Sequence, residues 1–347
     1  MEEAVLITGG AGFIGSNLVR YLLKHEDQKK IINLDKLTYA GNLENLKDIE
    51  GHSQYRFIKG DITDMDLVRR IFKEEKVVQV YHLAAESHVD RSILDPGGFI
   101  QTNIQGTYTL LEVARNLWSQ PPYEWESCRF LHVSTDEVYG SLGPDGYFTE
   151  ESPYQPNSPY AASKASSDML ARAYFKTYGL PVLITNCCNN YGPYQFPEKL
   201  IPLMIRNALK NEPLPVYGDG MQVRDWIYVE DHCRGLELVM NKGVPGETYC
   251  IGTRGEMTNL AIVEKILALL EKPTSLIRFV KDRPGHDRRY AINPAKVEAL
   301  GFRGQVSLDE GLKNTIQWYL DHQDWMENIT SGAYKEYYQI QYGKRLE

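Results

Sequence analysis

The sequence predicts an α/β fold: a Rossmann-type doubly wound parallel sheet with a smaller mixed α/β C-terminal lobe for substrate. The apolar run Ala4-Val5-Leu6-Ile7 reads as a buried parallel strand. A glycine-rich turn and a helical apolar pattern beginning at Phe13 follow it directly. Strand-like runs then alternate with helical patterns at βαβ spacing over roughly 185 residues, which favours a doubly wound parallel sheet.

The turn between the first strand and the first helix, Thr8 to Gly15, is typical of a phosphate-binding turn. Gly9 permits the tight turn, Gly12 lets the backbone approach a pyrophosphate, and Gly15 lets helix and strand pack closely. The N-terminus of the helix offers free N–H groups and a partial positive charge. The alternative is an ordinary glycine turn without a ligand.

A second strand ends in Asp35, 20 residues after Gly15. A carboxylate at this position binds a ribose 2′-hydroxyl and repels a 2′-phosphate, so the sequence favours NAD over NADP. Lys36 beside it weakens that preference slightly, and a surface aspartate is the alternative interpretation.

The remaining elements follow in order. The predicted strands span 4–7, 31–35, 55–61, 77–85, 129–135 and 181–185, and the predicted helices after the first span 65–74, 99–117 and 159–178. Small residues at the end of the fourth strand let the backbone pass close to a cofactor.

Beyond Tyr191 the alternation breaks, and prolines separate shorter elements. We expect an NAD-binding domain over residues 1–190 and a predominantly substrate-binding lobe over 191–347, without a sharp boundary. Helices are predicted at 260–270 and 308–320, and a short strand at 276–280. We expect the tail from Gln323 to wrap the surface.

Composition narrows the classes of function. The chain has 347 residues and a net charge of −8 with no basic run, which argues against a nucleic-acid surface. No apolar run of membrane-spanning length occurs, and the segment Met1-Glu2-Glu3 lacks the basic residues of a signal peptide. The five cysteines lack metal-binding spacing, so we expect no metal site and reduced thiols in a cytoplasmic protein.

Two short patterns could carry chemistry. Tyr160 and Lys164 are four residues apart and share one face of the predicted helix. The lysine and a cationic nicotinamide would favour the phenolate, making Tyr160 a base near neutral pH. Asp136 and Glu137 lie where the fifth strand ends, at the edge of the sheet that binds ligands. Adjacent carboxylates push one pKa up and supply an acid beside a base. Solvated side chains are the alternative for both patterns.

These residues belong to longer motifs that resemble the extended short-chain dehydrogenase/reductases and, within them, the dTDP-glucose 4,6-dehydratase family. The resemblance covers nearly the whole chain. Its motifs are TGGAGFIG (8–15), LDKLTYAGN (34–42), HLAAESHVDRS (82–92), STDEVYG (134–140), YAASKASSD (160–168), NNYGPYQFPEKLIP (189–202), RDWIYVEDH (224–232) and DRPGHDRRY (282–290). The Asp136-Glu137 pair distinguishes the dehydratases from the related sugar-nucleotide epimerases, which lack it.

The resemblance implies binding residues for NAD and for a sugar nucleotide. Those for NAD are Gly9, Gly12, Phe13, Ile14, Gly15, Asp35, Lys36, Leu37, Thr38, Asp61, Ile62, Leu83, Ala84, Ala85, Glu86, Ser87, Thr102, Tyr160, Lys164 and Asn190. Those for the substrate are Ser87, Thr135, Asn189, Lys199, Leu200, Pro215, Val216, Tyr217, Arg224, Asn259, Arg283, His286 and Tyr342. Arg224 and Arg283 suit a diphosphate because a guanidinium fork matches phosphate oxygens, although a surface ion pair is the alternative for any single arginine.

The resemblance also implies a reaction: C4 of dTDP-glucose is oxidised, water is eliminated across C5 and C6, and hydride returns to C6. Thr135 would hold the sugar O4, Tyr160 with Lys164 would take its proton, Glu137 would remove the C5 proton and Asp136 would protonate the leaving hydroxyl. The 4-keto-6-deoxy product would serve deoxysugar biosynthesis, for example that of rhamnose. A related epimerase or decarboxylase is the nearest alternative, and an inactive binding protein is the other. Relatives of this fold pair through two long helices, here near 99–117 and 159–178, which implies a homodimer.

Overall fold

The computed structural model describes residues 3–25, 29–330 and 333–343. Its larger sheet has seven parallel strands in the order β10-β6-β5-β4-β1-β2-β3. The strands are β1 Ala4–Thr8, β2 Lys30–Asp35, β3 Tyr55–Lys59, β4 Val77–His82, β5 Arg129–Thr135, β6 Val182–Cys187, β7 Asn189–Tyr191, β8 Leu214–Tyr217, β9 Val223–Tyr228, β10 Thr248–Ile251, β11 Glu256–Thr258 and β12 Ile277–Val280. The predicted doubly wound sheet is confirmed.

Helices cover the sheet and build the smaller lobe. They are α1 Phe13–His25, α2 Met65–Glu75, α3 Val89–Leu94, α4 Gly97–Phe99, α5 Thr107–Trp118, α6 Pro159–Tyr178, α7 Leu200–Leu209, α8 Val229–Lys242, α9 Asn259–Leu269, α10 Ala295–Ala299, α11 Leu308–Asp321, α12 Gln323–Ile329 and α13 Ala333–Tyr338. Helix α6 begins and ends where the sequence predicts. Ser158 accepts a hydrogen bond from Ala161 N, Pro159 occupies the first turn, and Gly179 ends the helix at φ +71°.

The order of the strands reverses between β1 and β4, which lie side by side in the middle of the sheet. All five residues of β1 are buried, as the apolar run predicts for a strand covered on both faces. In open α/β sheets the crevice outside the carboxyl ends of the strands at such a switch point binds ligands. The glycine turn after β1 and the small residues after β4 therefore meet at that crevice.

The sequence did not reveal the seventh strand, β10, which pairs in parallel with β6. It has four residues, too few to show a clear pattern. Helix α8 precedes it and packs on α1, where Tyr21 OH donates a hydrogen bond of 2.8 Å to Glu237. The chain thus returns to the first layer after residue 190, and the division into 1–190 and 191–347 stays a prediction.

The smaller lobe contains the mixed three-stranded sheet β11-β9-β7 and the two-stranded sheet β12-β8. Its core includes residues of α7, α9 and α11. The tail does more than wrap the surface, because Trp325 and Tyr342 are buried in this core. Trp325 Nε1 also donates a hydrogen bond of 2.8 Å to Asn45, which anchors the tail to the NAD-binding side.

The predicted helix 99–117 differs in one respect. Residues Ile100–Gly106 form π-helical turns between α4 and α5. Asn103 within them accepts a hydrogen bond from Glu86 N at 2.9 Å and donates to Glu86 O and Ser163. These bonds tie the loop after β4 to α6, and such wide turns are frequent at functional sites.

Candidate active site

A cleft runs along the carboxyl ends of β1, β2, β4, β5 and β6. Most of the predicted NAD residues line it. They are Gly9, Gly12, Phe13, Ile14, Gly15, Asp35, Lys36, Thr38, Asp61, Ile62, Leu83, Ala84, Ala85, Glu86, Ser87, Thr102, Tyr160, Lys164 and Asn190. Leu37 is the exception. It adopts φ +58° and packs against the core, and the cleft-lining residues do not include it.

The glycine turn has the close approaches that a dinucleotide-binding turn requires. Gly9 has φ +74°, and a Cβ there would lie 2.8 Å from the Cα of Ala84. A Cβ on Gly15 would lie 2.2 Å from the carbonyl oxygen of Gly9, so no side chain fits between helix and turn. The first N–H groups of a helix have no intrahelical acceptor, and Phe13 and Ile14 at the start of α1 line the cleft. The turn therefore fits a pyrophosphate.

Asp35 organises the adenosine end. Its carboxylate accepts hydrogen bonds from Ala11 N at 2.9 Å and from Leu37 N at 2.8 Å, joining the glycine turn to the loop after β2. Burial raises the pKa of Asp35, and the two backbone donors oppose that rise. Each oxygen keeps lone pairs for a ribose hydroxyl. Lys36 pairs with Asp61 at 2.6 Å across the same end of the cleft.

All five predicted catalytic residues line this cleft. Thr135 ends β5, and Asp136 and Glu137 lie in the 3₁₀ turn Asp136–Tyr139 that follows. Thr135 Oγ1 accepts a hydrogen bond of 3.3 Å from Glu137 N, which turns the chain sharply at the edge of the sheet. Tyr160 and Lys164 approach from the first two turns of α6.

The two adjacent carboxyl groups lie in different charge environments. Asp136 is 2% exposed, and its Oδ2 has no hydrogen-bond partner among the described residues. Burial, followed by the charge of Glu137, raises the pKa of Asp136 well above its usual range. Burial also raises the pKa of Glu137, but there Arg283, Arg224 and Lys199 act against the rise. These surroundings favour the protonated form of Asp136, whereas three cations favour the Glu137 carboxylate against the effect of burial.

Tyr160 and Lys164 are both buried, and burial opposes the charged form of each side chain. Burial, followed by the charge of Glu137, raises the pKa of Tyr160 well above its usual value, while a hydrogen bond with Thr135 lowers it. The protein alone therefore does not favour the phenolate. Lys164 Nζ donates a hydrogen bond of 2.9 Å to Val133 O, and burial lowers the pKa of Lys164.

The predicted substrate residues fall into three groups. Ser87, Thr135, Asn189 and Lys199 line the cleft itself. Leu200, Pro215, Val216 and Asn259 lie in the smaller lobe, at the starts of α7 and α9 and in β8. Tyr217, Arg224, Arg283, His286 and Tyr342 form a polar cluster beside Glu137, described next.

Arginines with little solvent exposure mark this cluster. Arg224 is 4% exposed, donates to Asp287 O at 3.0 Å and lies over the Tyr290 ring at 4.1 Å. Arg283 Nη1 lies 3.6 Å from Asp90 Oδ1. Burial, and then the charges of Arg283 and Arg224, lower the pKa of His286 to about 4. These arginines are not surface ion pairs, and buried cations next to a cleft suit an anionic ligand.

Tyrosines close the outer end of the same cluster. Tyr217 OH donates a hydrogen bond of 3.2 Å to Asp90, and its ring stacks on Tyr342 at 6.1 Å between centroids. Gln341 Nε2 donates to Tyr217 OH at 2.7 Å. The C-terminal tail therefore contributes directly to the predicted substrate end.

Sequence reasoning missed several residues of the site. Cys187, Phe196 and Glu198 line the cleft, and Asp90 and Arg91 support its walls. All of them lie in or next to the quoted motifs, so those motifs were the available signal. Cys187 donates a hydrogen bond of 3.3 Å to Ser134 O. Among the residues with described positions, no group of three or more His, Cys, Asp or Glu could hold a metal ion.

Comparisons with known proteins agree on one family. The family model of GDP-mannose 4,6 dehydratase matches residues 6–315. The dTDP-glucose 4,6-dehydratase of Neisseria meningitidis serogroup B is 55% identical over 345 residues, covering 95% of this chain and 97% of that protein. The crystal structure of the dTDP-glucose 4,6-dehydratase from Streptomyces venezuelae with NAD bound has a TM-score of 0.89 at 50% identity, covering 94% of this chain and 99% of that one.

A more distant relative shows that this fold also occurs in epimerases. The UDP-glucose 4-epimerase of Thermus thermophilus in complex with NAD has a TM-score of 0.83 at 30% identity, covering 92% of this chain and 99% of that one. Dehydratases and epimerases thus share this architecture, and the fold alone does not separate them.

The parallel sheet, the glycine turn at its switch point and the Tyr160–Lys164 pair define a Rossmann-type protein of the short-chain dehydrogenase/reductase class. Its family can also be stated. The chain belongs to the nucleotide-sugar 4,6-dehydratase family, which includes the dTDP-glucose 4,6-dehydratases.

Proposed function

We propose that this protein converts dTDP-glucose to dTDP-4-keto-6-deoxy-glucose, a deoxysugar precursor, with NAD as a tightly bound catalytic cofactor. The observation that carries the proposal is the pair Asp136 and Glu137 in the same cleft as Tyr160 and the glycine turn. The relatives named dTDP-glucose 4,6-dehydratase supply the nucleotide and the sugar.

NAD, when bound, supplies the hydride acceptor for C4 and the hydride donor for C6. The glycine turn and Asp35 would hold it by its pyrophosphate and its adenosine ribose. Tyr160 would take the proton from O4, with Thr135 holding that oxygen. Because burial and Glu137 raise the pKa of Tyr160, the ammonium of Lys164 and the positive charge of the nicotinamide have to lower it.

The carboxyl pair would perform the elimination. The 4-ketone acidifies the C5 proton, and Glu137, whose charge three cations stabilise, is suited to remove it. Asp136, whose pKa is raised well above its usual range, is suited to deliver a proton to the departing C6 hydroxyl. Arg224 and Arg283, together with Lys199, would hold the diphosphate.

Turnover with labelled sugar tests the proposal. Purified protein is incubated with dTDP-glucose, UDP-glucose and GDP-mannose, and the 4-keto-6-deoxy product is scored by its absorbance in alkali. We expect product from dTDP-glucose, with C4 deuterium found at C6 of the same molecule and solvent deuterium at C5. A product that keeps its C6 hydroxyl would instead indicate an epimerase.

We further propose that two copies pair through the faces of α5 and α6. Tyr108 of α5 and Ile100 of the π-helical turns before it are 37% and 57% exposed, and Met169 and Tyr178 of α6 are 58% and 51% exposed. Large exposed apolar side chains on neighbouring helices favour a two-fold interface. Sedimentation should show a dimer that Met169→Glu weakens. Phe279→Glu, at another exposed apolar position, should leave it intact.

We also propose a reducing, cytoplasmic location. The five cysteines are free and buried in the structure, which suits a compartment that keeps thiols reduced. Cell fractionation tests this, and recovery of the protein from an extracellular fraction would contradict it.

A further inference from the structure

The motif His88-Val89-Asp90-Arg91 at the start of α3 has no role in the chemistry proposed above. The Arg91 guanidinium lies between two aromatic rings, 3.7 Å from the centroid of Tyr39 and 3.9 Å from that of Tyr337. Its Nε donates a hydrogen bond of 2.9 Å to Glu198, whose side chain is 2% exposed. One side chain therefore joins three segments distant in sequence: the loop after β2, the loop before α7 and helix α13.

Two of these segments form facing walls of the cleft. One wall includes Lys36, Thr38, Ala40 and Gly41, and the other includes Gln195, Phe196, Glu198 and Lys199. The Tyr39 ring meets the Phe196 ring edge-on at 5.8 Å, and Tyr39 also hydrogen-bonds Glu198. The walls thus contact each other, and Arg91 supports that contact from α3.

We infer that Arg91 is a positioning residue that holds the two walls together over the bound dinucleotide and so slows its release. The inference rests on the proposed function, in which NAD is regenerated within each cycle. Loss of the cofactor between the two hydride transfers would leave the enzyme without the hydride that completes the reaction.

Arginine suits this position for a geometric reason. A planar guanidinium can stack on two rings through its faces while its edge donates to a carboxylate. A lysine at this position keeps the charge for Glu198 but has no flat face to fill the space between the rings. Arg91→Lys therefore removes the stacking on the two rings while keeping a positive charge for the ion pair with Glu198.

His88 lies beside the same contact. Its Nδ1 lies 3.3 Å from Tyr337 OH, and its Nε2 lies 3.4 Å from the carbonyl oxygen of Glu198. Burial, followed by the charge of Lys199, lowers the pKa of His88 well below its usual range, so the ring is neutral near pH 7. Tyr337→Phe would remove the hydroxyl contact with His88 but keep the ring on Arg91.

The chain offers a matched control outside the cleft. Arg20 on α1 lies over the Tyr194 ring at 4.0 Å and pairs with Asp48 at 2.6 Å. Arg20→Lys makes the same chemical change in a similar stacked ion pair that does not join the two walls.

The experiment measures exchange of bound NAD for radiolabelled NAD in the holoprotein, without substrate. Arg91→Lys and Tyr337→Leu should release NAD about 10- to 100-fold faster, because each desolvated cation–π contact contributes on the order of a factor of ten. Tyr337→Phe and Arg20→Lys should release it like the unmodified protein. Turnover by Arg91→Lys should also require added NAD and recover when it is supplied.

Unchanged release from a folded Arg91→Lys protein would overturn the inference, as would equal release from Tyr337→Leu and Tyr337→Phe. If Arg91→Lys does not fold, the comparison of NAD release from Tyr337→Leu and Tyr337→Phe tests the inference on its own. Failure of the intact protein to form a 4-keto-6-deoxy sugar would refute the proposed function instead. The exchange needs no substrate, so the two failures are distinguishable.

Discussion

Replacing Asp136 with asparagine should stop the reaction after oxidation at C4. The side chain is 2% exposed at the end of β5, and asparagine has nearly the same size. The change removes the carboxyl proton, whose retention is favoured by the raised pKa of Asp136. The substitution leaves Thr135 and Tyr160 unchanged, and these are the residues that we propose act on O4, so oxidation should continue.

The expected loss follows from the role of the group. Removing a general acid costs about 10²- to 10⁴-fold in rate, which corresponds to about 3–5 kcal/mol of barrier. The loss should fall on elimination alone, so reduced nicotinamide and a 4-keto-glucose intermediate should accumulate on the enzyme. Glu137→Gln should cause an accumulation of the same kind, because it blocks the preceding proton removal.

Deuterium exchange distinguishes the two variants. With Asp136→Asn, Glu137 remains and should still exchange the C5 proton of the bound 4-keto sugar with deuterated solvent. With Glu137→Gln, that exchange should disappear. Mass spectrometry of the sugar quenched from the enzyme measures both.

Thermal unfolding supplies the control for folding. Because the pKa of Asp136 is raised in the native state, its contribution to stability is most favourable below the unfolded-state pKa. The contribution falls as the pH rises towards the native value. At neutral pH the asparagine variant should therefore melt no lower than the original protein. A normal melting temperature would show that loss of activity in this variant is not caused by unfolding. Normal dehydration by Asp136→Asn, or normal C5 exchange by Glu137→Gln, would refute these assignments.

Three further predictions concern the cofactor, the base and stability towards acid. In a titration, protein stripped of its cofactor should bind NAD at least about 100-fold more tightly than NADP. The reason is repulsion between Asp35 and a 2′-phosphate, since like charges about 4 Å apart near a protein surface cost about 4 kcal/mol. Equal affinity for the two cofactors would contradict this. Tyr160→Phe should retain NAD while C4 oxidation, followed by reduced-nicotinamide absorbance, falls about 10²- to 10⁴-fold, and an unimpaired variant would end the assignment. Burial lowers the pKa of His232 to about 3, so the free energy of unfolding should fall as the pH drops below about 6.5, by about 2 kcal/mol at pH 5. When denaturation is measured at a series of pH values, His232→Phe should reduce this loss of stability between about pH 6.5 and pH 5.

The sequence alone determined the elements whose signals are local. Apolar runs predicted the strands β1 to β6, and the helix predicted over 159–178 matches α6 residue for residue. The roles of the glycine turn and Asp35 could be predicted because their spacing is typical of a strand, a tight turn and a helix. Tyr160 and Lys164 were readable because helical geometry places residues four apart on one face.

Tertiary structure decided the elements with weak local signals. The strand β10 shows no periodicity over four residues and is a strand because β6 offers it an edge. The tail around Trp325 is buried because the core of the smaller lobe and Asn45 receive it. The π-helical turns 100–106 depend on contacts of Asn103 with Glu86 and Ser163.

Tertiary structure also gives the two adjacent carboxyl groups different charge environments. Glu137 is stabilised by Lys199, Arg224 and Arg283, which lie far along the chain and meet it only in the fold. The raised pKa of Tyr160 likewise reflects burial and the neighbouring Glu137. A pKa is set by desolvation and by the charges nearby in space, and neither can be read from neighbours in sequence.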